Sequence, residues 1–286
     1  MGRRKYKNVR RNCALVLKHK ENNNLWVNSM DLRLKFNEDV VNYDKWRPTY
    51  VAELFNDIIH YSGLNSTKNA LEIGIGTGQA TLPILKTGCK VTAVELGEKL
   101  AEFTKQKFSQ FSNFKVINID FESFTNNDNK YDMIYSATAF HWLPQDIGFT
   151  KVHSLLKHGG TVALFWNHPS AIGKDGTMHT EIQKIYKKYK PFGDKSPKEF
   201  DEKTCQQYVD TMRKYGFSNV ITKIYRQTRK LHAEDYISLL NTYSDHRSLQ
   251  MDVKNVLESE IATVIDKFGG IINIYDTMDL YLGKKY

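Results

Sequence analysis

Apolar residues along the chain fall into blocks of two kinds. One kind recurs at three- and four-residue spacing. Val51, Leu54, Phe55, Ile58 and Ile59 follow the segment RPTY in this way, and that period predicts a helix with one buried face. Pro48 sits near its start, where a missing N–H costs little. The other kind is nearly continuous: ALEIG at 70–74, KVTAVEL at 90–96, FKVINID at 114–120, YDMIYSA at 131–137 and HGGTVALFW at 158–166. Short apolar runs between turn residues fit strands buried on both faces. Helical patterns lie between them: one over 79–86, one with Leu100, Phe103, Phe108 and Phe111 inward, and one around 145–157 with Val152, Leu155 and Leu156 on a face. Strands alternating with helices of this size predict parallel βαβ units, right-handed crossovers and a doubly wound α/β sheet.

Residues 167–216 break the alternation. Ile182, Ile185, Tyr186 and Tyr189 predict one amphipathic helix, and Cys205, Tyr208, Val209 and Met212 predict a second, with no strand between. This reads as a helical insertion after the fifth strand, and it is expected to form a lid over the carboxyl edge of the sheet together with the segment around Tyr43 to Tyr50. FSNVITKIYRQTRKL at 217–231 resumes strand character. Two helices follow, with Tyr236, Ile237 and Leu240 in one and Leu257, Ile261, Val264, Ile265 and Phe268 in the other. TMDLYLGKK at 277–285 predicts the last strand.

At 286 residues with 41% hydrophobic content, the chain has enough apolar material for one sizeable core. The net charge of +9 points to nucleic acid until it is located. Residues 1–20 hold eight Lys and Arg and no acid, so the rest of the chain is near neutral. Residues 1–29 are expected to be a basic extension outside the fold, and 30–286 a single domain. No apolar run is long enough to span a membrane. The three cysteines, Cys13, Cys89 and Cys205, are odd in number and far apart. That argues against a disulfide framework and for a cytoplasmic protein.

In a doubly wound sheet, ligands bind at the carboxyl ends of the strands. The residues there are Gly74, Gly76 and Gly78, then Glu95, Asp120, and Ser136 to Trp142. The glycines let backbone approach a ligand, and the helix that follows offers free N–H groups. The dinucleotide fingerprint places its third glycine three residues after the second, and here that position is Gln79. Glu95 stands 21 residues after Gly74, where a carboxylate can accept hydrogen bonds from both hydroxyls of a ribose. Asp120 is placed to accept from an adenine amino group, and Phe121 offers a ring face to the base. His141 suits a general base or a substrate contact, and equally a hydrogen-bonded structural histidine. Trp142 and Trp166 read as core or pocket wall. There is no H-E-x-x-H, no C-x-x-C and no G-x-S-x-G, so no metal is expected.

LEIGIGTGQAT, VTAVEL, VINIDFESF, YDMIYSATAFHWL and GGTVALFWN, in that order and spacing, resemble the class I S-adenosylmethionine-dependent methyltransferases. Within them the chain is similar to the methyltransferase type 11 subgroup, which includes trans-aconitate methyltransferase and its small-molecule relatives. The resemblance is strong over about 36–167 and implies a Rossmann-like seven-stranded sheet of order 3-2-1-4-5-7-6 with strand 7 antiparallel. It also implies roles. Glu72 and the loop at Gly74, Gly76 and Gly78 would hold the amino acid part of S-adenosyl-L-methionine. Glu95 would bind the ribose, with Leu96 against the adenine and Asp120 and Phe121 flanking it. Ser136 and Thr138 would line the cofactor at the fourth strand. Tyr43 and Arg47 would cover its carboxylate and the methyl-transfer site.

The expected reaction is methyl transfer to a small-molecule acceptor, with no specific nucleic acid, no membrane, and a monomer or homodimer as the unit. A nicotinamide-dependent oxidoreductase on a similar fold is the first rival, opposed by Gln79 and the AFHW segment. A non-catalytic cofactor- or RNA-binding protein is the second, opposed by the near-neutral body. The segment YSAT stands where methyltransferases of exocyclic base amines carry (N/D)-P-P-(Y/F), which argues against that subgroup.

Overall fold

The computed structural model describes residues 39–126, 130–171, 176–189 and 200–286. The basic extension expected at 1–29 lies outside the described residues. Seven strands form one sheet: β1 (Asn69–Ile73), β2 (Lys90–Glu95), β3 (Phe114–Asn118), β4 (Tyr131–Ala137), β5 (Leu156–Ser170), β6 (Phe217–His232) and β7 (Ile271–Lys285). Their order is β3-β2-β1-β4-β5-β7-β6. The first five run parallel, and β7 is antiparallel to both β5 and β6. The chain therefore reverses direction across the sheet at β1 and β4, and the crevice above their carboxyl ends is where such sheets take ligands.

Two-residue alternation sends the strand side chains to two buried faces. Ala70, Ala93, Met133, Tyr135, Ala163 and Phe165 meet Leu54, Phe55 and Ile58 of α2 (Ala52–Ser62) and Ile84 and Leu85 of α3 (Thr81–Leu85). On the other face Leu71, Ile73, Ile134, Val162 and Leu164 meet Phe149, Val152 and Leu155 of α5 (Gln145–Leu155). Each large aliphatic or aromatic side chain buried this way contributes about 1.5–3 kcal/mol. Between β2 and β3 runs α4 (Glu98–Lys107), with Leu100, Ala101 and Thr104 buried.

The two helices foreseen as one lid part company. The first, α6 (Thr177–Tyr189), buries Ile182 and Ile185 against α8 (Ala233–Leu240), α10 (Met251–Lys267) and Ile272 and Ile274 of β7. Trp46 of α1 (Val40–Trp46) packs on the same cluster. These helices cap the carboxyl edge, because β6 and β7 run on past the end of β5, which stops where Ser170 faces Tyr275. The second, α7 (Lys203–Lys214), instead lays Cys205, Val209 and Met212 on the sheet face beside α5. Its apolar stripe matches a flat sheet surface, so it serves as the crossover helix into β6. A short α9 (Ser244–Arg247) links α8 to α10.

The segment around Tyr43 to Tyr50, expected as the other part of the lid, is also divided. Helix α1 ends at Trp46, and Arg47 is extended with ψ 136°, as the residue before a proline prefers to be. Among the described residues no helix is long and apolar enough to cross a membrane.

Candidate functional site

The turn after β1 is held from two sides. Gly74 donates to Val94 O at 2.9 Å, and Gly76 donates to Glu95 Oε2 at 2.9 Å. Gly76 has φ 58°, a conformation L side chains adopt only at a cost. A Cβ on Gly74 would stand 2.7 Å from the Ala139 Cβ, so this turn packs directly on the segment after β4. A Cβ on Gly78 would strike the Phe108 ring. One on Gly76 would find space, with the Tyr43 ring 3.7 Å away. Gly76 thus faces the gap between the loop and α1.

Glu95, the last residue of β2, is buried and divides its carboxylate between Gly76 N–H and, through Oε1, Gly97 N–H at 2.9 Å. Burial pushes its pKa up, against the pull of these backbone donors. Asn118 donates to Glu95 O and Leu96 O at 2.8 and 3.0 Å and so fixes the turn in which half-buried Leu96 stands.

Glu72 lies beneath the loop, fully enclosed. Its Oε2 accepts from Thr81 Oγ1 at 2.7 Å and Tyr135 OH at 2.8 Å. Among the described residues no cation is among the groups that perturb it. Burial, opposed by the two hydroxyls and aided by the charge of Glu95, raises its pKa to about 7. Ser136 is likewise enclosed and ties β4 to β1 by donating to Ile73 O at 2.9 Å. Phe121 is 4% exposed, its ring packed in the core beside Lys151 Nζ at 5.4 Å. The ring face expected to meet a base is therefore turned inward, because the residue closes the edge of the core below β3. Asp120 Oδ1 accepts from Ser123 N at 2.7 Å and braces the turn there.

Over the loop sits α1. Lys107 of α4 donates to Asp44 Oδ1 at 2.6 Å and to Thr77 O at 2.9 Å, strapping α1 to the glycine loop. The Arg47 guanidinium lies 4.8 Å from the Tyr43 ring centre and 4.5 Å from that of Tyr243, and donates to Thr242 O at 2.8 Å. Tyr50 OH and Thr138 Oγ1 are 2.7 Å apart, and Thr138 Oγ1 also accepts from Asn167 N at 3.2 Å. Thr138 has φ 52°, strained for a β-branched residue. Asn167 is 8% exposed, yet among the described residues neither end of its carboxamide has a hydrogen-bond partner.

His141 follows β4 in a 3₁₀ turn (Phe140–Trp142) and accepts at Nδ1 from Trp166 Nε1 at 3.0 Å. The residue is exposed at the surface, and the protein packed around its ring, with His168 nearby, lowers its pKa. His168, at the carboxyl end of β5, places Nε2 2.9 Å from Asp279 Oδ1, and Asp279 Oδ2 accepts from Tyr281 OH at 2.8 Å.

The fold thus gathers Tyr43, Arg47, Gly76, Glu95, Leu96, Thr138 and His141 along the carboxyl edge, while the side chains of Glu72, Phe121 and Ser136 point into its support. Sequence reasoning missed Asp44, Lys107, Tyr50, Asn167, His168, Asp279 and Tyr243. For Asn167 and His168 a signal existed. They directly follow the run ending at Trp166, where a strand-end residue should have been expected.

A family model described as a methyltransferase domain matches residues 70–160. An uncharacterised methyltransferase of Schizosaccharomyces pombe is 23% identical over 80% of this chain and 86% of its own length. A malonyl-[acyl-carrier protein] O-methyltransferase of Ilyobacter polytropus is 29% identical over 45% of this chain and 48% of its own. The fold is shared with phosphoethanolamine N-methyltransferase 2 of Haemonchus contortus, at TM-score 0.51 and 13% identity, over 90% of this chain and 59% of that one. The strand order and the glycine turn with its acidic partner on β2 accord with the methyltransferase-domain match over residues 70–160, and the chain is similar in sequence and fold to S-adenosylmethionine-dependent methyltransferases.

Proposed function

We propose that the protein binds S-adenosyl-L-methionine in the crevice between the glycine loop and α1 and transfers its methyl group to a small-molecule acceptor. The observation that carries this reading is the pairing of Glu95 with Gly76 N–H at the rim of an otherwise open loop position. It sets a carboxylate and a backbone turn side by side at the switch point. Glu95 accepts the ribose hydroxyls, with Leu96 and Asp120 toward the adenine. Gly74, Gly76 and Gly78 lie along the amino acid part, covered by Tyr43 and Arg47, with Thr138 at the fourth strand. Glu72, Ser136 and Phe121 support these positions from below.

The sulfonium supplies an electrophilic methyl group, so the protein's work is alignment and exclusion of water. Cap helices at the carboxyl edge, seated on the ends of β6 and β7, favour an acceptor small enough to be enclosed, and the near-neutral charge of the chain beyond its first 20 residues disfavours nucleic acid. Titration calorimetry with S-adenosylhomocysteine, NAD and a generic RNA tests the reading. Saturable binding of the first alone is expected. Binding of NAD in preference, or of RNA with a one-to-one endpoint, would overturn it.

A further inference from the structure

The two histidines near the carboxyl ends of β4 and β5 are held in opposite senses. Trp166 Nε1–H can only donate, so at 3.0 Å it makes Nδ1 of His141 an acceptor. In the neutral ring Nε2 then carries the proton. Both nitrogens are committed, one to Trp166 and one to its own hydrogen, and no lone pair is left to take a proton from an acceptor. His141 is a fixed hydrogen-bond donor.

His168 is the reverse. Asp279 is 5% exposed, and its carboxylate is fixed at both oxygens, by His168 Nε2 at 2.9 Å and Tyr281 OH at 2.8 Å. A carboxylate only accepts, so Nε2 of His168 carries the hydrogen and Nδ1 keeps its lone pair. The ring stays 41% exposed and is held on one side by Phe200, with ring centres 4.8 Å apart. Strand alternation puts Trp166 and His168 on the same face at the carboxyl end of β5. There His168 is near enough to His141 for its charge to weaken proton binding by that ring. The ionisable groups around His168 are Asp279, His141 and, through Asp279, Tyr281 and Cys205.

We propose that His168, oriented by Asp279, is the general base for a protonated acceptor, and that His141 donates a hydrogen bond to that acceptor. The inference rests on the methyltransferase reading above. As the acceptor's hydroxyl oxygen forms its bond to the methyl carbon, the carbon–sulfur bond breaks and its electron pair stays on sulfur. The acceptor's proton passes to Nδ1 of His168, and the resulting imidazolium is stabilised by the Asp279 carboxylate.

Two measurements test this on the full-length protein saturated with S-adenosylhomocysteine or supplied with labelled S-adenosylmethionine. In nitrogen-15 NMR, His168 should appear as the Nε2–H tautomer. With a panel of phenols and aliphatic alcohols, His168→Gln should cut turnover about 100-fold. The loss should be much smaller for a nitrophenol, which ionises without help. In Asp279→Asn the acid limb of the pH–rate profile should move to lower pH. S-adenosylhomocysteine affinity should be retained in both variants, as a check of folding. An Nδ1–H tautomer, equal losses on phenol and nitrophenol, an unmoved acid limb, or no turnover of any hydroxyl acceptor would overturn the base. Failure of the wild type to bind S-adenosylhomocysteine would instead overturn the function on which it rests.

Discussion

Two buried carboxylates, 23 positions apart in the sequence, do different work because their partners differ. Glu95 faces two backbone N–H groups at the rim. Its replacement by Ala removes a charged hydrogen-bond partner for the ribose, at about 1.5–3 kcal/mol, or roughly ten- to a hundredfold in affinity. Calorimetry with S-adenosylhomocysteine on a variant with intact circular dichroism checks this, and an unchanged dissociation constant would remove Glu95 from the site. Glu72 faces two hydroxyls in a dry interior and holds its proton up to a pH of about 7. A folded-state pKa raised above the ordinary glutamate value of 4.5 means that its favourable contribution is complete below pH 4.5. That contribution is lost as pH rises to about 7. Glu72→Gln, which cannot ionise, should therefore match the wild type at pH 4. At pH 8 it should be more stable by up to about 3 kcal/mol. Urea unfolding at the two pH values reads the difference, and equal midpoints at pH 8 would contradict the burial argument.

Helix α1 illustrates how an element with little burial of its own is kept in place. It has no fully buried residue, so its position over the loop depends on the Asp44–Lys107–Thr77 strap, the Arg47 stack and the packing of Trp46. The Asp44–Lys107 pair is partly exposed, about a third for each side chain, and pairs of that kind contribute about 0.2–1 kcal/mol. Lys107→Met should accordingly weaken S-adenosylhomocysteine by no more than about fivefold, while amide exchange over 40–46 accelerates measurably. Loss of affinity without faster exchange would mean that Lys107 touches the ligand itself.

At the scale of the whole molecule the sheet carries two attachments of different character. The cap draws α1, α6, α8 and α10 from distant parts of the chain onto the ends of β6 and β7, whereas α7 is part of the sheet's own packing. If the cap closes over bound ligand, S-adenosylhomocysteine should slow amide exchange in 40–50, 177–189 and 233–267 along with the glycine loop, and leave 203–214 unchanged. Protection confined to 74–79, 95 and 120 would show a cap that does not respond to the cofactor. Closure of this kind runs on microsecond to millisecond scales.

The sequence alone made the parallel strands of the sheet legible, and the family resemblance implied their order and the antiparallel last strand. Continuous apolar runs such as YDMIYSA require burial on both faces, and their alternation with amphipathic helices admits few topologies. It also determined the edge along which Gly76, Glu95, Asp120 and Thr138 stand, because strand ends follow from strand positions. Tertiary structure alone decided which side chains look into that edge. Phe121 and Ser136 are as near it in the sequence as Leu96 and Thr138, but packing turned them inward. The same applies to the helices of 177–214, whose apolar stripes are alike on paper and whose partners, a bundle for α6 and a sheet face for α7, are set by long-range contacts that periodicity does not encode. The two imidazoles are the sharpest instance. Nothing in the spacing of His141 and His168 distinguishes a donor from a base. That difference comes from Trp166 against one ring and Asp279, 111 residues further along the chain, against the other.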